Sequence, residues 1–200
     1  MKERPILFNA EMVNAILSGR KSQTRRVMKQ QPGSVTEQGR PLFFQHGSTG
    51  RRITPKCPYG QPGDRLWVRE TWSTCPIYDA QKPSEMGPEY LGTIRYRADG
   101  QRSGKLRPSI FMPRWASRIT LEITSVRVEQ LCDISNDDAI SEGIWKYPDE
   151  GCYKVYTPTT SFGTINPVKS YRSLWESING PESWTENPWV WVVEFEEVKQ

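Results

Sequence analysis

Thr24 lies in the stretch SGRKSQTRR, residues 18–26, surrounded by Arg20, Lys21, Arg25 and Arg26, with Lys29 close behind. A threonine hydroxyl becomes a nucleophile when a neighbouring base takes its proton. Lys21 is the residue spaced to do so, because like charges around an ammonium group favour loss of its proton and move it toward the range of a general base. Glu142, in the segment ISEGI, is a carboxylate that would pair with Lys21 or position the threonine if its helix end faces the basic turn. An anion in the last turn of a helix opposes the helix dipole by about 0.3–1 kcal/mol, and a residue that breaks a local rule invites a functional explanation. Each feature also has a plainer reading. Thr24 is a good strand former in what would then be an exposed basic turn, and Glu142 would be a solvated surface side chain.

Two further residues stand out in RLWVRETW, residues 65–72. Leu66 and Val68 alternate with Arg65, Trp67 and Arg69, so Trp67 opposes the apolar face and is a candidate platform for stacking a base. Glu70 shares the apolar parity and therefore needs a cation or an opening into a cleft. The cations Arg20, Arg25 and Arg26, with Trp67 and Glu70, form the candidate substrate or nucleic-acid binding set.

These groups must be positioned by local structure. Residues 6–8 read as a short strand, and Asn9 caps a helix running through Ser18, with Val13, Ile16 and Leu17 at helical spacing and Gly19 as its stop. Residues 22–27 follow as extended chain, with Ser22, Thr24 and Arg26 on one face and Gln23 and Arg25 on the other. A Pro-Gly turn opens the strand containing Leu66 and Val68, and a short strand is expected at 93–97. In SRITLEITSVRVEQL, apolar alternation moves from Ile119, Leu121 and Ile123 to Val126 and Val128, which predicts a bulge near 124–125. Ser135 and Asp138 read as a capping-box start to the helix that ends at Gly143. Tyr171, Leu174, Trp175 and Ile178 mark another helix ending near Gly180, and WVWVVEF forms a last strand with Trp189, Trp191, Val193 and Phe195 on one side. Several strands with few short helices define an α+β class with a small, mixed, partly closed β-barrel.

Two hundred residues suit one domain. Twenty-seven basic and 23 acidic residues leave a net charge of +4, so a nucleic-acid partner requires a local patch. Cys57, Cys75, Cys132 and Cys152 have no CxxC spacing, and His46 is the single histidine, which argues against a zinc site and against a ribonuclease that uses a histidine pair. No segment is apolar enough to span a bilayer, and the opening MKERPILF is not a signal peptide. The expected setting is reduced and cytoplasmic, without a membrane partner, metal or cofactor.

Gly19, Lys21 and Arg26 resemble the G-x-K-x-x-E-x-R signature of the ASCH family of PUA-like β-barrels, with Thr24 in the glutamate slot. That departure is similar to the small ASCH proteins that hydrolyse the acyl amide of N4-acetylcytidine with threonine, lysine and glutamate. GDRLWV resembles their strand opening and DAISEGI their glutamate-bearing helix, which puts the glutamate at Glu142. The resemblance covers about residues 5–29, 62–72, 117–145 and 187–197. It implies one domain over 1–200, with short flanking helices and long insertions at about 30–61, 73–115 and 146–169, like those of larger prophage-encoded members. It further implies a metal-independent amidohydrolase for an N-acylated cytidine-type nucleoside, or a related modification in RNA, using Lys21, Thr24 and Glu142 as catalytic residues. A non-catalytic RNA-binding module using the same basic cleft is the alternative, followed by a ribonuclease or a phage interaction protein.

Overall fold

Asn9 ends the first strand because its side-chain oxygen accepts the Met12 N–H at 2.8 Å, satisfying a helix donor that would otherwise lack a partner. The computed structural model, described for residues 1–37, 39–44, 52–157 and 163–199, continues from this cap through three helices and ten strands. His46 falls outside the described residues. The chain runs β1 (Glu3–Leu7), α1 (Ala10–Leu17), β2 (Gln23–Val27), β3 (Ser34–Val35), β4 (Pro41–Phe44), β5 (Arg52–Ile53), β6 (Arg65–Arg69) and β7 (Trp72–Ser73). It then runs β8 (Arg95–Tyr96), β9 (Thr120–Gln130), α2 (Asn136–Ser141), α3 (Pro167–Asn179) and β10 (Trp189–Glu197). Strands order as β1-β6-β9-β10-β2 in a mixed five-stranded sheet, with β3-β4-β5 and β7-β8 as smaller sheets. β1 and β6 are parallel, whereas β6 and β9 are antiparallel. The expected barrel closure is not formed among the described strands.

Contacts divide the chain into two units, each assembled from separate segments: 1–22, 59–124 and 194–200 form the first, and 23–58 and 125–193 the second. In the first unit, Ile6, Leu66, Val68, Ile119, Leu121 and Ile123 are buried, as alternation requires. A separate cluster of Trp72, Met86, Ile94, Met112 and Ala116 gives the 73–115 excursion its own apolar centre. That excursion is built of short 3-10 turns, one of which occupies Pro88–Thr93 and shortens the expected strand to Arg95–Tyr96.

The second unit packs Leu131, Ile134, Ala139, Ile144, Tyr171, Leu174 and Trp175 against Trp184, Val190 and Val192. Val190, Trp191, Val192 and Val193 are all buried. One-sided exposure of the last strand, expected from its alternating tryptophans, is thus replaced by burial on both faces. In β2, the edge strand next to it, Gln23, Thr24 and Arg25 are likewise consecutively buried. On β9, alternation holds through Thr124, and every residue from Ser125 to Gln130 is half-buried. No helix among the described residues is long and apolar enough to cross a membrane.

Gly19 stops α1 with φ +71°, and a Cβ there would meet nothing within 4 Å. Gly19→Ala therefore isolates the cost of left-handed backbone, about 1 kcal/mol. A lower urea midpoint with an unchanged slope is the expected measurement.

Candidate functional site

Lys21 follows the α1 stop, and its backbone N–H donates to the Ala15 carbonyl at 3.0 Å. This helix-end bond directs a lysine inward: Lys21 is only 3% exposed, and its Nζ lies 5.7 Å from the Phe8 ring centroid. Arg20 is half-buried, and its Nε donates to Ser18 Oγ at 3.0 Å. Thr24, three residues beyond Lys21, is 2% exposed in β2. Lys21 belongs to the segment that closes at residue 22, and Thr24 to the one that opens at 23. The solvated basic turn does not describe these residues.

Arg25 anchors the geometry of the second unit. Its side chain has no exposed surface, and its guanidinium holds carboxylates from three places: Glu129 Oε2 at 3.0 Å, Asp138 Oδ2 at 3.2 Å and Glu142 Oε1 at 3.2 Å. Arg127 completes the arrangement, with Nε on Glu129 Oε1, and Nη2 on Asp138 Oδ1 at 2.9 Å and on Gln23 Oε1 at 3.3 Å. Arg25, expected among the ligand-binding cations, instead points inward and is committed to acidic side chains. Glu142 is the residue just past α2, where its N–H donates to the Asp138 carbonyl at 2.9 Å and the next N–H, of Gly143, donates to the Ile140 carbonyl at 2.9 Å; Glu142 is 4% exposed. The surface glutamate is excluded, and its expected place inside the last helical turn is corrected by one position.

Electrostatics follow from these contacts. Burial pushes the Asp138 carboxyl upward, but the Arg25 charge, the Gln23 hydrogen bond, the Arg127 charge and the Ser135 hydrogen bond together outweigh it and hold the group below its usual range. Tyr171, on α3, is driven well above the usual phenol range by burial first and by the Glu142 charge second, against Arg25 and Arg26. Arg26 is half-buried. Tyr171, Arg127, Glu129 and Asp138 were not among the sequence candidates. The i, i+2 spacing of Arg127 and Glu129 puts them on one strand face, but Asp138 reads equally well as part of a helix cap: its N–H donates to Ser135 Oγ at 3.1 Å.

The remaining candidates belong to the first unit. Trp67 is 8% exposed, with the Arg69 guanidinium 4.6 Å from its ring centroid and that of Arg114 at 5.9 Å. The open stacking platform is therefore corrected: neighbouring arginines cover the ring. Glu70 meets a cation, as its buried parity required. Arg118 donates Nε to Oε1 at 2.9 Å and Nη2 to Oε2 at 3.1 Å, and the same guanidinium binds both oxygens of Asp99 at 2.9 and 2.7 Å while lying 4.0 Å above the Tyr96 ring centroid. Burial still raises the Glu70 carboxyl above its ordinary range, against the pull of Arg118.

Among the described residues no group of three or more His, Cys, Asp or Glu is arranged to hold a metal ion. No protein-family model and no curated protein matches this chain. A solved structure that it resembles is the ASCH domain from Lactobacillus crispatus JV V101, at 15% identity, aligned over 98% of this chain and 79% of that one with a TM-score of 0.39.

Two outcomes follow. Arg118→Met leaves Glu70 buried without its fork, a loss of roughly 3 kcal/mol, at the low end for a buried pair because the guanidinium is partly exposed; urea unfolding reads it. The depressed Asp138 carboxyl contributes stability above the ordinary aspartate value of 3.8, lost as pH falls through its lower folded value, because the unfolded chain binds the proton first. Unfolding midpoints between pH 3 and 6 (about the carboxylate range) should fall less steeply on acidification for Asp138→Asn than for the parent.

Proposed function

We propose that this chain is a metal-independent amidohydrolase acting on an N-acylated cytidine-type nucleoside, free or within RNA, through Thr24, Lys21 and Glu142. The observation that carries this reading is the burial of all three polar side chains, at 2%, 3% and 4% exposure. Desolvated polar groups are costly unless they are paired or functional. The chain itself holds Lys21 within three residues of Thr24, and Arg25, the next residue after Thr24, grips Glu142. Under this reading the five-stranded sheet is the core of an ASCH-type, PUA-like barrel.

In the reaction, Thr24 Oγ attacks the acyl carbon while Lys21 Nζ, as the unprotonated amine, accepts the hydroxyl proton. Arg26 or a backbone N–H stabilises the oxyanion. Collapse breaks the C–N bond, and Lys21 returns the proton to the departing exocyclic nitrogen. Water then attacks the threonyl ester with Lys21 again as base, releasing the carboxylic acid and restoring the hydroxyl. Glu142 orients the lysine.

The alternative RNA-binding reading loses one of its cations, since Arg25 is enclosed by carboxylates, and keeps Arg20 and Arg26. The test is release of acetate and cytidine from N4-acetylcytidine by the purified protein, followed by chromatography. Thr24→Ala should lower kcat by about 10²–10⁴-fold with an unchanged melting temperature, and Thr24→Ser should retain turnover. Undiminished turnover in Thr24→Ala removes the nucleophile. A parent protein without turnover whose salt-sensitive RNA affinity falls on charge reversal at Arg20 and Arg26 establishes the binding module instead.

A further inference from the structure

Glu129 and Asp138 each give one oxygen to Arg25 and the other to Arg127, so two guanidinium groups and two carboxylates close a four-membered ring. Two positive and two negative charges balance within it. Glu142 is docked on the remaining terminal nitrogen of Arg25, Nη1, at 3.2 Å and is withdrawn from water. The guanidinium that holds it is itself fixed by the ring, so the place of this carboxylate is set by Arg25.

We propose that Arg25 is a positioning residue, which fixes the Glu142 carboxylate relative to the strand that carries Thr24. This rests on the hydrolase reading for its consequence in turnover, while the positioning itself is a property of the fold. Arg25 is joined to Thr24 by a peptide bond, so one strand sets both the hydroxyl and the guanidinium that grips the acid. The fork geometry matters: a planar guanidinium presents separate nitrogens to Glu142 and to the Glu129–Asp138 pair, whereas a lysine ammonium is a single point charge and cannot span all three. Arg127 holds the far oxygens of Glu129 and Asp138, which prevents Arg25 from swinging toward either one. Because Arg25 acts through Glu142 and touches no reacting atom, its loss should lower kcat and leave KM unchanged.

The experiment compares the parent, Arg25→Gly and Arg25→Lys in N4-acetylcytidine hydrolysis, with guanidinium added at millimolar concentration, and follows the Glu142 side-chain carboxyl by carbon NMR, assigned through Glu142→Gln. The expected result is a fall in kcat of about 10²-fold or more for Arg25→Gly with KM within about threefold, the scale of a displaced catalytic group. Guanidinium should restore part of the rate, and Arg25→Lys should lie between. The Glu142 carboxyl signal should shift in Arg25→Gly and return with guanidinium. A folded Arg25→Gly protein with parental kcat overturns the proposal and leaves the hydrolase reading standing. If the parent has no turnover, the hydrolase reading fails alone, and the NMR arm decides: a Glu142 signal unmoved by Arg25→Gly overturns positioning, and one that moves and recovers supports it. Should Arg25→Gly fold only with guanidinium, Arg25→Lys carries the same kinetic and NMR comparison, with the same two outcomes.

Discussion

A guanidinium with no exposed surface, gripping three carboxylates, is the interaction on which the second unit's chemistry depends. It ties β2 to the end of β9, one strand away across β10, and to the end of α2, since Glu129 is the next-to-last residue of β9 while Asp138 and Glu142 belong to α2 and its cap. Hydrophobic packing alone would tolerate some sliding among these elements, whereas a bridged network of charge-assisted hydrogen bonds allows few alternatives. The tryptophan-rich cluster behind α3 supplies the apolar burial, and the ion cluster supplies the register.

The sequence made the local elements legible where one strong signal dominated. Asn9 and Gly19 bracket α1, Ser135 begins α2 and Gly180 ends α3, because caps and left-handed stops depend on a few neighbouring residues. Parity predicted the buried Glu70 and its need for a cation, but not that Arg118 would meet it, since that partner lies 48 residues away. Alternation failed in β2 and β10 for a related reason. An amphipathic pattern distinguishes two faces only when one of them meets water, and consecutive buried residues show that neither face does over residues 23–25 of β2, an edge strand, or 190–193 of β10.

Spacing and resemblance singled out Lys21, Thr24 and Glu142, and the structure buries all three. Their surroundings were not legible. Arg25 looks the same in sequence as its neighbour Arg26, and only tertiary contacts distinguish a side chain enclosed by acids from one that is half-buried. Trp67 was misread because Arg69, two residues along the strand and taken as a sign of exposure, covers its ring together with the distant Arg114. In the first unit, Arg118 performs a comparable task at the excursion, tying Asp99 and the Tyr96 ring to the strand end at Glu70.

Both units are discontinuous, and the chain passes from one to the other at residues 22/23, 58/59, 124/125 and 193/194. During synthesis the amino-terminal strand and helix leave the ribosome long before the segments that complete their unit, and the second unit waits for β10. Each unit therefore keeps apolar side chains uncovered until its last segment has been made, so neither core closes as its first strands and helices emerge.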